Sequence, residues 1–360
     1  MRFHKYFFGD VPAPGEGIPD LRAVLNSPDV DVLFERLLAA SPGSIKACDT
    51  KNTDILIGAG VLRRDADYGL YFDCPVFSAD DEHILRELTC SYASDIAEKM
   101  LRHKDGYFEA VKQSDSRFDS GVHIYNLLCG AVFDGCFFDR LAEAGIVTVS
   151  KPGKYGDFLP VIYEDEAKLN RLSAEILCSY NRLSGKAGVF SSFGDADGIR
   201  NDMFRWYQKI ISDPERMQTM VGTSDVSQIR NVFASEFVRY ANGARPAEPF
   251  RSIFEDLGYM HQGVVCVPVY CAEEKKNLVG KLDELTADIV FEDIAGALRE
   301  VSSASELTAV KHGVEVPDIA NEVYHLLFGQ INEILVREGL AAPPEYRTGE
   351  GRYLRSFEIN

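Results

Sequence analysis

The chain has 360 residues, of which 46% are hydrophobic and 11% aromatic, which is too apolar for a disordered chain and long enough for two domains with cores of their own. Lys and Arg number 38 against 56 Asp and Glu, a formal net charge of −18. Such a surplus of carboxylates repels phosphate backbones, so nucleic-acid binding would require a local basic patch.

Residues 1–17 read as a strand and a Pro/Gly loop, 21–25 as a helical turn, and 30–38 as a helix with apolar residues at helical spacing. Ser41-Pro42-Gly43-Ser44 ends that helix. A short segment, 45–48, precedes a helix at 53–59 that stops at Gly60. Val61-Leu62 starts a strand, 63–69 is a polar turn, and Leu70-Tyr71-Phe72 returns. A long helix follows, with Leu85, Leu88, Tyr92, Ile96 and Met100 three or four apart. Next come a helical pair ending at 137–144 and a hairpin of 146–149 with 158–163. Beyond it, 166–181 reads as a helix, 184–198 as a Gly/Ser-rich loop, and 199–211 as a helix carrying the single tryptophan, Trp206. Two helices at 229–240 and 249–257, a clipped hairpin around His261-Gln262-Gly263, a long helix at 278–298, a helix at 331–338 and a strand at 353–359 complete the chain.

The order repeats. Cys74-Pro75-Val76-Phe77-Ser78-Ala79-Asp80-Asp81 matches Val267-Pro268-Val269-Tyr270-Cys271-Ala272-Glu273-Glu274, an offset of 193. Tyr125-Asn126-Leu127-Leu128-Cys129-Gly130 matches Tyr324-His325-Leu326-Leu327-Phe328-Gly329 at 199, and Gly156-Asp157-Phe158-Leu159 matches Gly351-Arg352-Tyr353-Leu354 at 195. Near-constant offsets imply a duplication. Pro75-Val76-Phe77 and Pro268-Val269-Tyr270 should be structural, each Pro ending strand pairing and each aromatic seating the long helix.

Helices followed by a hairpin, with Gly60-Val61-Leu62, a polar turn and Tyr68-Gly69-Leu70-Tyr71-Phe72, resemble the winged helix-turn-helix superfamily. The second set resembles it through Gly258-Tyr259-Met260 and a shorter wing. The resemblance implies that the third helix enters the major groove and the wing touches the DNA backbone. On this sequence the matching positions are Lys46, Lys51, Asn52, Arg63 and Arg64 in the first copy and Arg251 in the second. The setting is poor in cations: Arg63 and Arg64 face Asp65 and Asp67, and Arg251 faces Glu255 and Asp256.

Other chemistry is sparse. Eight cysteines include no Cys-x-x-Cys pair, and seven histidines form no His-x-x-x-His, so no metal site or cofactor is expected. The glycines at 185–198 lack phosphate-loop and calcium-loop spacing. Phe190, Phe193, Phe204, Trp206 and Tyr207 could line an apolar ligand pocket or simply glue domains together. No secretory signal is evident, and no window approaches the roughly 20 apolar residues of a membrane span.

These readings give a helix-rich α+β protein of two duplicated winged-helix-like halves, 1–165 and 224–360, joined by a helical connector, 166–223. The expected function is that of a cytoplasmic, non-enzymatic regulator, either DNA-binding or a protein- or ligand-binding scaffold that has lost DNA. An enzyme with a site between the halves is the rival. The partner is DNA or a protein, not a membrane, and the oligomeric state stays open.

Overall fold

The computed structural model describes residues 3–46, 51–164, 178–195, 200–345 and 351–360. In chain order the elements are β1 (His4–Asp10), α1 (Leu21–Leu25), α2 (Pro28–Ala39), α3 (Lys51–Gly58), β2 (Leu62–Arg64), β3 (Leu70–Phe72), β4 (Val76–Phe77), α4 (Ala79–Arg102), α5 (Lys104–Val111), α6 (Ser120–Ile124), a π-helix (Tyr125–Cys136), α7 (Phe137–Glu143), β5 (Lys151–Gly153), β6 (Gly156–Tyr163), β7 (Cys178–Gly185) and β8 (Gly188–Asp195). Then follow α8 (Met203–Ile210), α9 (Pro214–Val221), α10 (Val226–Ala241), α11 (Phe250–Asp256), β9 (Met260–His261), β10 (Val264–Val265), β11 (Val269–Cys271), α12 (Ala272–Ser302), α13 (Thr308–Lys311), α14 (Val316–Arg337) and β12 (Tyr353–Ile359). The fold is a helix-rich α+β fold.

Two compact units form, and they are not the contiguous halves that the repeat suggests. Unit 1 takes Met1–Ile96, Phe138–Leu172 and Glu292–Gln330; unit 2 takes Ala97–Phe137, Ser173–Phe291 and Ile331–Asn360. The divisions fall inside α4, α7, α12 and α14, and a further one, after residue 172, splits the expected connector 166–223 between the two units.

In unit 1 the sheet runs β1–β6–β4, with β5 also on β6. β4 lies parallel to β6, pairing Val76 with Ile162 and Phe77 with Tyr163; β1 lies antiparallel to β6. Phe77 is fully buried, as its place at the strand end requires. Asp20 caps α1 by accepting the Ala23 N–H, and α2 starts on Pro28 with Asp29 and Asp31 in its positive first turn. Phe3, Phe34 and Phe72 stack edge to face beneath these helices at 5.6 and 5.3 Å. The polar turn between β2 and β3 is tied by Asp65, whose carboxylate accepts the N–H groups of Gly69 and Asp67 and the Tyr71 hydroxyl. Segment 45–48 does not add a helix in its described part: Lys46 pairs as a β-bridge with Gly69, and the remainder lies outside the described residues. Residues 146–149 are irregular, and the hairpin forms from β5 and β6 instead.

In unit 2 the sheet order is β11–β12–β8–β7. β11 runs parallel to β12, pairing Val269 with Phe357 and Tyr270 with Glu358; β12 runs antiparallel to β8. Tyr270 is fully buried. Residues 184–198, expected as a loop, are largely strand β8, hairpinned to β7 with Gly185 paired to Gly188. The expected helix at 166–181 lies mostly outside the described residues, and its last residues, from Cys178, belong to β7. Glycine has a packing reason here. A Cβ on Gly188 would sit 2.4 Å from the Glu358 carbonyl oxygen, and one on Gly194 would sit 1.9 Å from that of Arg352. Above the sheet, Phe190, Phe233, Phe237, Phe254, Tyr259 and Phe357 form one aromatic core.

One helical run, 120–143, is long and apolar enough by composition to cross a bilayer, which the reading of the sequence did not pick out; 67% of its apolar window is buried inside the protein.

Candidate functional site

The residues expected to meet DNA are placed on the helices and hairpins, but each described arginine is engaged within its own unit. Arg64 reaches back to Asp54 of α3 at 3.1 Å. Arg63, on the other face of β2, lies 4.4 Å over the Tyr71 ring and donates to the carbonyl of His312 beyond α13. Asp73 lies 3.7 Å from it. In unit 2 Arg251 pairs with Glu255 at 3.2 Å, and Glu255 also accepts the Gly263 N–H of the second hairpin at 2.7 Å. Lys46 and Asn52 come together on the rim of a groove of about 240 Å³ floored by Val30, Leu33, Ile45 and Leu70. The side chain of Lys51 lies outside the described residues. Arg63, Arg64 and Arg251 are thus each held by a group of their own unit.

The aromatic set does not converge on one cavity. Phe190 and Phe193 are three apart on β8, so they point to opposite faces. Phe190 enters the core with Phe237, Phe254 and Phe357, whereas Phe193 lies tilted against Tyr125 at 5.0 Å beneath Gly130. Tyr207 is buried and donates to the Val226 carbonyl; half-buried Trp206 lies 4.7 Å from Phe233. Phe204 sits under the Arg200 guanidinium at 5.4 Å.

A cleft of about 640 Å³ lies in unit 1. Its walls are the end of α2 (Glu35, Leu38, Ala39), the start of α4 (Ser78, Asp80, Asp81, Ile84), Glu164 after β6, and Ser305, Glu306, Thr308 and Lys311 around α13. Asp81 is buried and holds the floor, accepting the Ser78 and Thr308 N–H groups at 2.7 and 2.8 Å. Glu164 accepts the Ala79 N–H at 3.0 Å. The motif acids at the start of α4 thus divide their work: Asp81 fastens α4 to α13, and Asp80 faces the cleft.

One buried polar assembly went unread in the sequence. In unit 2 Lys275, in the first turn of α12, is buried; its ammonium lies 3.2 Å from Glu358 and donates to Tyr180 at 3.1 Å and Ser191 at 3.4 Å. Beside it the Tyr270 hydroxyl meets His123 Nδ1 at 2.8 Å and accepts from Asn126 at 3.4 Å, while His123 Nε2 meets the Asp115 carbonyl at 3.0 Å. Burial lowers the His123 pKa and raises that of Tyr270 above the usual phenol range. A signal was present: a lysine in a helix's first turn opposes the dipole, so another contact has to hold it there. No group of three or more His, Cys, Asp or Glu able to hold a metal occurs among the described residues.

Comparison with protein-family models, curated proteins and solved structures returns no match for this chain.

Proposed function

We propose that the chain is a cytoplasmic, non-enzymatic regulatory protein built on winged-helix-like units that bind a protein partner in place of DNA. The observation that carries this reading is the engagement of Arg63, Arg64 and Arg251 by partners of their own units, on a chain of net charge −18. Apolar side chains at both hairpins support it: Tyr68 and Val264 are 60% and 65% exposed. Low-salt retention on random duplex DNA is the test. No retention is expected; retention that disappears with added salt and is weakened by Arg64→Ala overturns the reading. A small-ligand role is the second reading, favoured by the unit 1 cleft and by the polar side chains on its walls. A ligand-induced Tm increase that Asp80→Leu abolishes would support it.

A further inference from the structure

We infer that the two units arise by reciprocal exchange of one equivalent helical segment between two repeats of the chain. The segment that unit 2 takes from the first repeat is Ala97–Phe137, and the one that unit 1 takes from the second is Glu292–Gln330. Their starts are 195 residues apart and their ends 193, matching the sequence offsets of 193 to 199.

Three strands of each remaining sheet correspond, while β5 in unit 1 and β7 in unit 2 have no counterpart among the described residues. β4 runs parallel to β6 as β11 runs parallel to β12, and in each case the second strand pairs antiparallel with an earlier one, β1 or β8. The register agrees residue by residue: Phe77 faces Tyr163, and Tyr270, 193 later, faces Glu358, 195 later. Likewise Phe8 faces Leu159, and Phe193 faces Leu354; this extends the second repeat back into the expected connector, with β8 matched to β1 at the shorter offset of 185.

Each unit is then closed by side chains from the other repeat. In unit 1 Phe72 donates its N–H to His312, Thr308 donates to Asp81, Lys151 pairs with Asp318, and Asn321 donates to the Thr148 carbonyl. In unit 2 His123 meets Tyr270, Tyr107 meets Thr286, Asn332 donates to the Cys129 carbonyl, and Tyr180 donates to Asp134. Apart from Tyr180 and Asp134, these partners lie about 150 to 240 residues apart, and loop-closure cost rises only slowly with separation, so they remain accessible to a folding chain. One repeat therefore completes its core only with a segment of a second repeat, the arrangement of a segment-exchanged dimer fused into one chain.

Hydrogen exchange on the full chain tests this through two conservative variants. His123→Gln changes a first-repeat residue and should speed exchange about tenfold in β11 and β12, leaving β1 and β6 protected. Glu322→Gln changes a second-repeat residue and should do the reverse, loosening β1 and β6. Each variant loosening the sheet of its own repeat overturns the exchange, as does equal loosening of both sheets by both variants.

Discussion

Unit 1 and unit 2 set the same strand arrangement against a long helix, yet they fill matching positions with different chemistry. Position 82 on α4 is a buried Glu, and position 275 on α12, at the motif offset of 193, is a buried Lys. The residue facing the motif aromatic is Tyr163 in unit 1 and Glu358 in unit 2. Where unit 2 presents His123, unit 1 presents Glu322. Glu322 is 1% exposed and is met by the Tyr6 hydroxyl, with Tyr163 at 3.4 Å from Tyr6. Burial first, and then the Glu322 charge, raise the pKa of both tyrosines well above the usual phenol range. Phenols thus stabilise a carboxylate in unit 1, while an ion pair does so in unit 2. Apolar periodicity is alike in the matched segments of the two units, so buried polar identity is what tells one sheet from the other. Buried ionic groups used as register devices give that kind of specificity.

The largest effect should come from the apolar partner of this comparison. Phe77→Ala empties a fully buried ring position between Val76 and Tyr163 and should cost about 3–5 kcal/mol by denaturant unfolding. A loss below about 1 kcal/mol would mean that unit 1 does not depend on the strand end. Lys275→Met should come close behind in unit 2, at about 3 kcal/mol, because it leaves half-buried Glu358 with only the exposed Arg182, 3.7 Å away, and strips Tyr180 and Ser191 of their donor. The double variant Lys275→Met/Glu358→Leu should recover most of that loss. Failure of the second change to compensate would show that the ammonium acts through Tyr180 and Ser191 instead.

A pH effect separates the units further. Burial, with the Arg63 charge beside it, holds the His312 pKa down from 6.5 to about 4. The folded imidazole stays neutral while the unfolded one takes a proton below pH 6.5. This contribution is therefore complete above pH 6.5 and is lost as pH falls toward 4. Between pH 7 and pH 5 the loss should be about 2 kcal/mol. His312→Asn should flatten that slope, and an unchanged slope would remove His312 as its source.

How much of this was legible follows from the range of each signal. The Pro-Val-aromatic strand ends and the Tyr-x-Leu-Leu-x-Gly helices were readable because their patterns are local; Leu127, Leu128, Leu326 and Leu327 are all buried. Strand β8 was misread because Gly188, Ser191, Ser192 and Gly194 have loop composition. Their small side chains instead allow β12 to approach, and Ser191 bonds Ser356 across that pairing at 2.9 Å. The exchange of segments was not readable at all. Helical periodicity marks the buried face of α4 or α12 but carries no information about which distant residue covers it. For the same reason nothing in the sequence singled out Lys275, and the connector aromatics fitted a ligand pocket and a glue between domains alike.

A smaller effect, about 1–3 kcal/mol, should follow Tyr270→Phe, which makes unit 2 resemble unit 1 at this position. The ring stays buried, but His123 Nδ1 and Asn126 Nδ2 lose their hydroxyl partner. Phe77→Tyr in unit 1 is the converse, placing a hydroxyl at the strand end beside the Tyr163 ring. A stability change near zero in Tyr270→Phe would show that the hydroxyl is dispensable there.

The smallest effect belongs to the residue that the resemblance made most suggestive. Arg251→Ala removes an exposed ion pair with Glu255, and Glu255 keeps the Gly263 N–H as a partner. The second hairpin should stay in place, and stability should change by less than about 0.5 kcal/mol, since such surface pairs are screened and entropically costly. The equivalent change in unit 1, Arg63→Ala, should cost more, because Arg63 also covers Tyr71 and binds the His312 carbonyl. Measuring both against duplex DNA and against unfolding separates two roles for these arginines. Fixing hairpins requires the unit 1 variant to lose stability and neither variant to change DNA retention. A parallel loss of low-salt DNA retention in both variants, with stability intact, would instead assign these helices and hairpins to nucleic acid.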